Sequence, residues 1–207
     1  MAINSVPDTE KQTRIDLLRH GETTAGRCLL GSTDALLSDS GWQQMHAAVK
    51  NKNYQRIISS PLKRCAEFSK QLSKENNLPL SIEDDLREIH FGDWEAKPIN
   101  EIWESQQVLL SAFWDDPVNN APPNAERLID FEVRVNVAFN KIKNDYKGDN
   151  ILMIIHGGVI RQILSNILSV PFKTAQQFNI DYASTSRLNC FDESINIEFI
   201  NQQITLS

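Results

Sequence analysis

Four short stretches carry side chains that could handle a phosphoryl group. Arg19-His20-Gly21-Glu22 sets a guanidinium beside an imidazole. His156-Gly157-Gly158 offers a second imidazole, followed by glycines that let a ligand approach a helix N-terminus, where free N–H groups and the dipole favour an anion. Ser59-Ser60-Pro61-Leu62-Lys63-Arg64 supplies another guanidinium, whose forked donors match phosphate oxygens. The stretch Leu86-Arg87-Glu88-Ile89-His90-Phe91-Gly92-Asp93-Trp94-Glu95 places Glu88 among apolar neighbours, a setting that raises a carboxyl pKa and suits a proton donor. Taken singly, each is compatible with an ordinary turn or a solvated charge. Together they compose one chemistry. A neutral imidazole with a fixed tautomer attacks phosphorus, Arg19, Arg64 and a second imidazole hold the equatorial oxygens, and Glu88 protonates the departing alkoxide.

These groups need elements that bring them together. Residues 14–18 read as a short strand ending at Arg19-His20-Gly21. Ser38 is placed to cap a helix that aligns Trp42, Met45, Ala48 and Val49. Residues 56–59 form a second strand, after which Ser60 and Pro61 serve as N-cap and first residue of a helix carrying Leu62, Cys65, Ala66, Ser69 and Leu72. A helix is expected over 99–114, then a loop over 115–123. Asn124 is the expected cap of a helix bearing Leu128, Phe131, Val135, Ala138 and Ile142. The unbroken apolar run 151–155 reads as a strand buried on both faces. It feeds His156 into a further helix that Pro171 stops. Leu188, Cys190, Ile195, Ile197 and Phe199 predict a closing hairpin. Alternating strands and helices predict an α/β fold with a largely parallel sheet, in which ligands sit outside the carboxyl ends of the strands.

Composition narrows the classes. With 207 residues, 41% hydrophobic and 23% charged, the chain suits one globular domain over 14–207 preceded by a flexible tail over 1–13. A net charge of −6 argues against a nucleic-acid partner. No apolar run reaches the roughly 20 residues of a membrane span, and no secretory signal is visible, so a cytoplasmic location is expected. Cys28, Cys65 and Cys190 are too few and too scattered for a disulfide framework or a cysteine-rich zinc site.

The order of the motifs, R-H-G-E, then S-S-P-L-x-R, then L-x-E-x-x-F-G-x-W-E, then H-G-G-V-I-R, resembles that of the histidine phosphatase superfamily over residues 14–200. The resemblance implies a three-layer αβα sandwich with a mixed, mostly parallel sheet. It further implies His20 as the phosphorylated nucleophile, Glu88 as proton donor, Arg19, Arg64, His156 and Gly157 as the phosphate pocket, and neither metal nor other cofactor. The loop 23–40 and the segments Ala112-Phe113-Trp114 and Pro123-Asn124-Ala125-Glu126 are most similar to those of the α-ribazole phosphatases, which act on a small-molecule phosphate ester. A broad or sugar-phosphate phosphatase is the alternative, and a catalytically idle phospho-ligand binder is a third reading. The expected assembly is a monomer or homodimer. Many relatives carry a phosphate-touching asparagine after R-H-G-E, and Ala25-Gly26 stands there in this chain, which makes Arg27 the expected substitute. His46 and His90 match no catalytic position.

Overall fold

The structure is a computed structural model that describes residues 12–203. Its centre is a six-stranded sheet in the order β3-β2-β4-β1-β5-β6. The strands are β1 (Thr13–Arg19), β2 (Arg56–Ser59), β3 (Leu80–Ile82), β4 (Asn150–Ile155), β5 (Thr185–Cys190) and β6 (Ile195–Gln202). Pairings within β3, β2, β4 and β1 are parallel, whereas β5 and β6 run antiparallel. The expected mixed, mostly parallel sheet is therefore present.

Alternation along the strands divides the core into two layers. Ile151, Met153 and Ile155 of β4, with Ile15 and Leu17 of β1, face α4 (Leu128–Asp145) and α5 (Gly157–Leu168). Leu152 and Ile154, with Leu18, face α1 (Asp39–Val49) and α2 (Lys63–Asn76). Every β4 residue from Ile151 to Ile155 is buried, so truncating one to alanine is expected to cost about 2–5 kcal/mol. A third, smaller core gathers Leu29, Trp94, Ile102, Leu110 and Phe113 beneath α3 (Ile99–Asp115).

Local chemistry shifts several expected boundaries. The first strand begins at Thr13, which pairs with Cys190 and accepts a hydrogen bond from Gly148 N on its hydroxyl, so Thr13 belongs to the sheet and not to a tail. Residues 1–11 of the expected tail lie outside the described residues. Ser38 caps α1 as expected, accepting from Gly41 N at 3.0 Å. Ser60 and Pro61 stop short of α2. Leu62 is the cap residue there, and its carbonyl accepts the first helical bonds, while the Ser60 hydroxyl is committed to His156. Asn124 is likewise no cap. It sits at φ +60 in the preceding turn, its amide donating to Asp93, and α4 starts at Leu128 after Arg127. α5 ends at Leu168 with Ser169 in the left-handed region, so Pro171 follows the stop and instead opens α6 (Phe172–Ala175). α3 breaks at Gln106, whose side chain turns to accept from the buried Trp94 indole at 3.0 Å.

Candidate active site

Sheet order places β4 between β1 and β2, so the segments leaving the parallel strands β1 and β4 lie side by side at the carboxyl edge of the sheet. His20 N donates to Ile155 O at 3.0 Å, and the His20 and His156 rings meet edge-on with centroids 5.3 Å apart. The two imidazoles picked from sequence are thus neighbours. Gly21 permits the approach of α1: a Cβ there would stand 2.4 Å from the Gly41 carbonyl oxygen.

The ring of His20 is buried, and its Nδ1 lies 2.8 Å from Gly21 O. A carbonyl can only accept, so Nδ1 carries the proton and Nε2 keeps its lone pair. Burial, reinforced by the charges of Arg64 and Arg19, holds His20 well below the ordinary imidazole pKa. His156 is depressed in the same direction, first by burial and then by Arg64. Its Nδ1 accepts from Arg64 Nε at 3.2 Å and its Nε2 lies 2.7 Å from Ser60 Oγ, so both ring nitrogens have protein partners.

The two expected arginines behave differently. Arg19 leaves the end of β1 stacked over Tyr182, 4.1 Å from the ring centroid, and donates from Nη1 to Ile180 O. Its Nε is buried without a partner among the described residues, and it borders a cavity of about 310 Å3. Arg64 is fully buried and, like His20 and His156, lies behind the residues that line that cavity. It donates to His156 and to the carbonyls of Leu30, Gly31 and Thr33. The backbone of this same loop is held from its other side by Glu95, which accepts from the amides of Gly31, Ser32 and Thr33 and from Phe91 N. Burial pushes the Glu95 carboxyl up, but these donors, led by the Thr33 hydroxyl, outweigh it and hold it below the usual range. Residues 30–33 are therefore strapped between a carboxylate and a guanidinium.

Glu88 reaches the cavity from the turn after the 3-10 segment Asp84–Leu86. Its oxygens accept from Ile89 N at 3.1 Å and from Gly158 N, at the start of α5, at 2.9 Å. Glycine at 158 leaves room for this carboxylate, since a Cβ would stand 2.3 Å from Glu88 Oε1 and displace it. Arg134 of α4 fixes the segment, donating to the carbonyls of Asp85, Arg87 and Glu88 while it pairs with Glu126. Gly157 also lines the cavity, as expected. Arg27 does not: it is exposed, and its neighbour Cys28 forms the wall. His46 is exposed, and His90 is tied to Ser32 and Glu95. Two groups escaped the sequence reading. Arg161, which lines the cavity, follows His156 in the H-G-G-V-I-R string, and Tyr182, which packs against His20 and Arg19, sits in a loop without motif.

The cavity is lined by Arg19, Glu88, Gly157, Gly158 and Arg161 together with the apolar Leu29, Phe91, Phe113, Trp114, Pro117 and Phe172. Among the described residues, no three His, Cys, Asp or Glu side chains converge to hold a metal ion, and no helix is long and apolar enough to cross a membrane.

Paired imidazoles at adjacent strand ends, flanked by guanidiniums and one carboxylate, accord with the family match: residues 15–203 fit the model of the histidine phosphatase superfamily (branch 1), and the chain belongs to that superfamily. Membership supports phosphatase activity. Among individual proteins, the chain is similar to the adenosylcobalamin/alpha-ribazole phosphatase of Escherichia coli K12, 24% identical over 195 residues, covering 92% of this chain and 96% of the relative. The crystal structure of the alpha-ribazole phosphatase from Shigella flexneri superposes with a TM-score of 0.80 at 24% identity, over 94% of this chain and 99% of that one. A mycobacterial glucosyl-3-phosphoglycerate phosphatase reaches 0.81 at 22% identity, over 93% and 100%. These likenesses establish the three-layer phosphoglycerate mutase-like fold.

Proposed function

We propose that the protein hydrolyses phosphate monoesters through a phosphohistidine on His20. The observation that carries this reading is the proton on His20 Nδ1, fixed by Gly21 O, which leaves Nε2 as a neutral nucleophile beside two guanidiniums. In the first step Nε2 bonds to phosphorus as the ester P–O bond breaks, and Glu88 delivers its proton to the departing oxygen. In the second, water attacks phosphorus, the N–P bond breaks, and the proton released by water returns to Glu88. Ester and water become alcohol and phosphate. Arg19 and the α5 N-terminus at Gly157 are placed to hold the phosphoryl oxygens as charge spreads over them. Arg64 and His156 act from behind, as positioning groups for the nucleophile.

For the alcohol half, α-ribazole 5′-phosphate is the preferred substrate, which would place the enzyme in cobalamin nucleotide-loop assembly. The support is twofold: the relatives include adenosylcobalamin/alpha-ribazole phosphatases, and the apolar side chains of Phe113, Trp114 and Phe172 suit a flat aromatic base. A sugar-phosphate phosphatase is the second reading, favoured by the polar Arg161 and Gln176 in the cavity lining. The deciding assay measures phosphate release from p-nitrophenyl phosphate by wild type and His20→Ala with EDTA present throughout. It then compares a ribazole phosphate with sugar and acyl phosphates. Activity that survives EDTA and vanishes in His20→Ala supports the chemistry; robust activity in His20→Ala ends it. Equal turnover of every ester removes the cobalamin assignment.

A further inference from the structure

Arg161 has no part in the scheme above, yet it lines the same cavity as Arg19, Glu88 and Gly157. Its Nε donates to Phe178 O at 3.1 Å, which anchors the side chain and leaves both Nη groups without a protein partner among the described residues. A Cβ built on Gly157 would lie 3.3 Å from Arg161 Nη1 and 3.4 Å from Arg19 Nε, so the two guanidiniums flank the same opening at the start of α5. Glu88 stands at the next residue of the same helix start: it accepts from Gly158 N at 2.9 Å, and a Cβ on Gly158 would lie 2.3 Å from its Oε1. Arg161 therefore lies on the side of Glu88, the group proposed to protonate the departing alcohol.

A guanidinium has only donors, so its free Nη groups require acceptor oxygens. In the proposed scheme the phosphoryl group is flanked by Arg19 and the helix start, and most of the remaining cavity lining is apolar. The oxygens available to Arg161 are those on the alcohol itself, near the ester. We infer that Arg161 is a specificity-determining residue that grips hydroxyl or ring oxygens on the carbons next to the ester oxygen, selecting an oxygen-rich alcohol such as a pentose over a plain aryl or alkyl one. This inference rests on the phosphomonoesterase reading and deepens it. It also moves the extra cationic contact expected of Arg27 to a different element.

The test compares ribose 5-phosphate with p-nitrophenyl phosphate, which has no oxygen acceptor near its ester. In Arg161→Ala, kcat/KM for ribose 5-phosphate is expected to fall at least about tenfold more than for p-nitrophenyl phosphate, chiefly through KM, with Arg161→Lys intermediate. Equal losses on the two esters, or none on either, overturn the assignment. A melting temperature close to that of wild type in Arg161→Lys guards against a folding artefact. Calorimetry in a His20→Ala background keeps this inference separate from the hydrolytic one. There, adding Arg161→Ala weakens ribose 5-phosphate binding at least about fivefold more than inorganic phosphate binding; parallel weakening of both, or of neither, refutes the inference even if the wild type hydrolyses nothing.

Discussion

Strand β1 carries two buried ionic clusters a few residues apart, and they are built on opposite plans. Asp16 is fully buried and accepts from Tyr54 Oη at 2.8 Å and from Arg187 Nε and Nη2 at 2.7 and 3.0 Å, with Lys52 Nζ 3.6 Å away. Burial raises its pKa, but the bonds from Arg187 and Tyr54 and the charge of Lys52 more than offset this, so its carboxyl lies below the usual range. At the other end of the strand, Arg19, His20, Arg64 and His156 crowd four basic side chains around a single carboxyl, Glu88, and Arg19 Nε is left unpartnered. A satisfied buried network holds a fold together. An unsatisfied one of a single sign costs stability and is filled by a ligand of the opposite sign.

The contrast can be broken from either side. The largest effect is expected from His20→Ala, which should lower kcat by on the order of 10^4-fold or more in a phosphate-release assay. The same variant should lose little stability beyond that of the buried ring it removes, because the imidazole is neutral and holds no ion pair. Asp16→Ala should do the reverse, costing about 3–5 kcal/mol in urea unfolding by leaving Arg187 and Lys52 without their carboxylate. The KM of its folded fraction for p-nitrophenyl phosphate should stay as it was. Gly158→Ala must push the Glu88 carboxylate aside, and a displacement of this kind is expected to cost about 10^2-fold in kcat, more for poor leaving groups than for p-nitrophenolate.

Acid provides the gentlest test. His20 and His156 have folded-state pKa values well below their unfolded ones, so below about pH 6.5 the unfolded chain binds protons that the folded chain does not. Stability is then lost as pH falls from 7 toward 5, by up to about 1.4 kcal/mol per pH unit for each histidine. Thermal melts across this range should show the loss, and His20→Ala should flatten it. The nucleophile itself stays neutral throughout, so kcat should not fall with a midpoint near pH 6.5.

Much of this arrangement was legible in the sequence. The apolar run 151–155 gave its strand almost to the residue, because burial on both faces leaves no polar interruption to misread. His20, His156, Glu88 and Arg19 converge as their motifs indicated. Arg64 joins them, its Nε donating to His156 Nδ1. Arg27 and Arg161 show the limit. Arg27 is exposed while Arg161 lines the cavity, and what separates them is a tertiary fact, the Phe178 carbonyl that holds Arg161 in place. The expected caps at Ser60 and Asn124 failed for a similar reason, as distant partners, His156 and Asp93, claimed the side chains that would have capped a helix.

The small core beneath α3 has a consequence of its own. Leu29, Trp94, Ile102, Leu110 and Phe113 form a cluster apart from the two main layers, and the segment joins the rest at a few backbone seams, Leu29 with Ala96 and Lys97 at one end and Glu126 with His90 at the other. Such a unit is a cassette. Its Phe113 and Trp114 line the cavity, which Arg19 enters from the end of β1 and Gly157 and Gly158 from α5. Chimeras that exchange residues 99–123 between relatives should trade substrate range while the chemistry of phosphate release is kept.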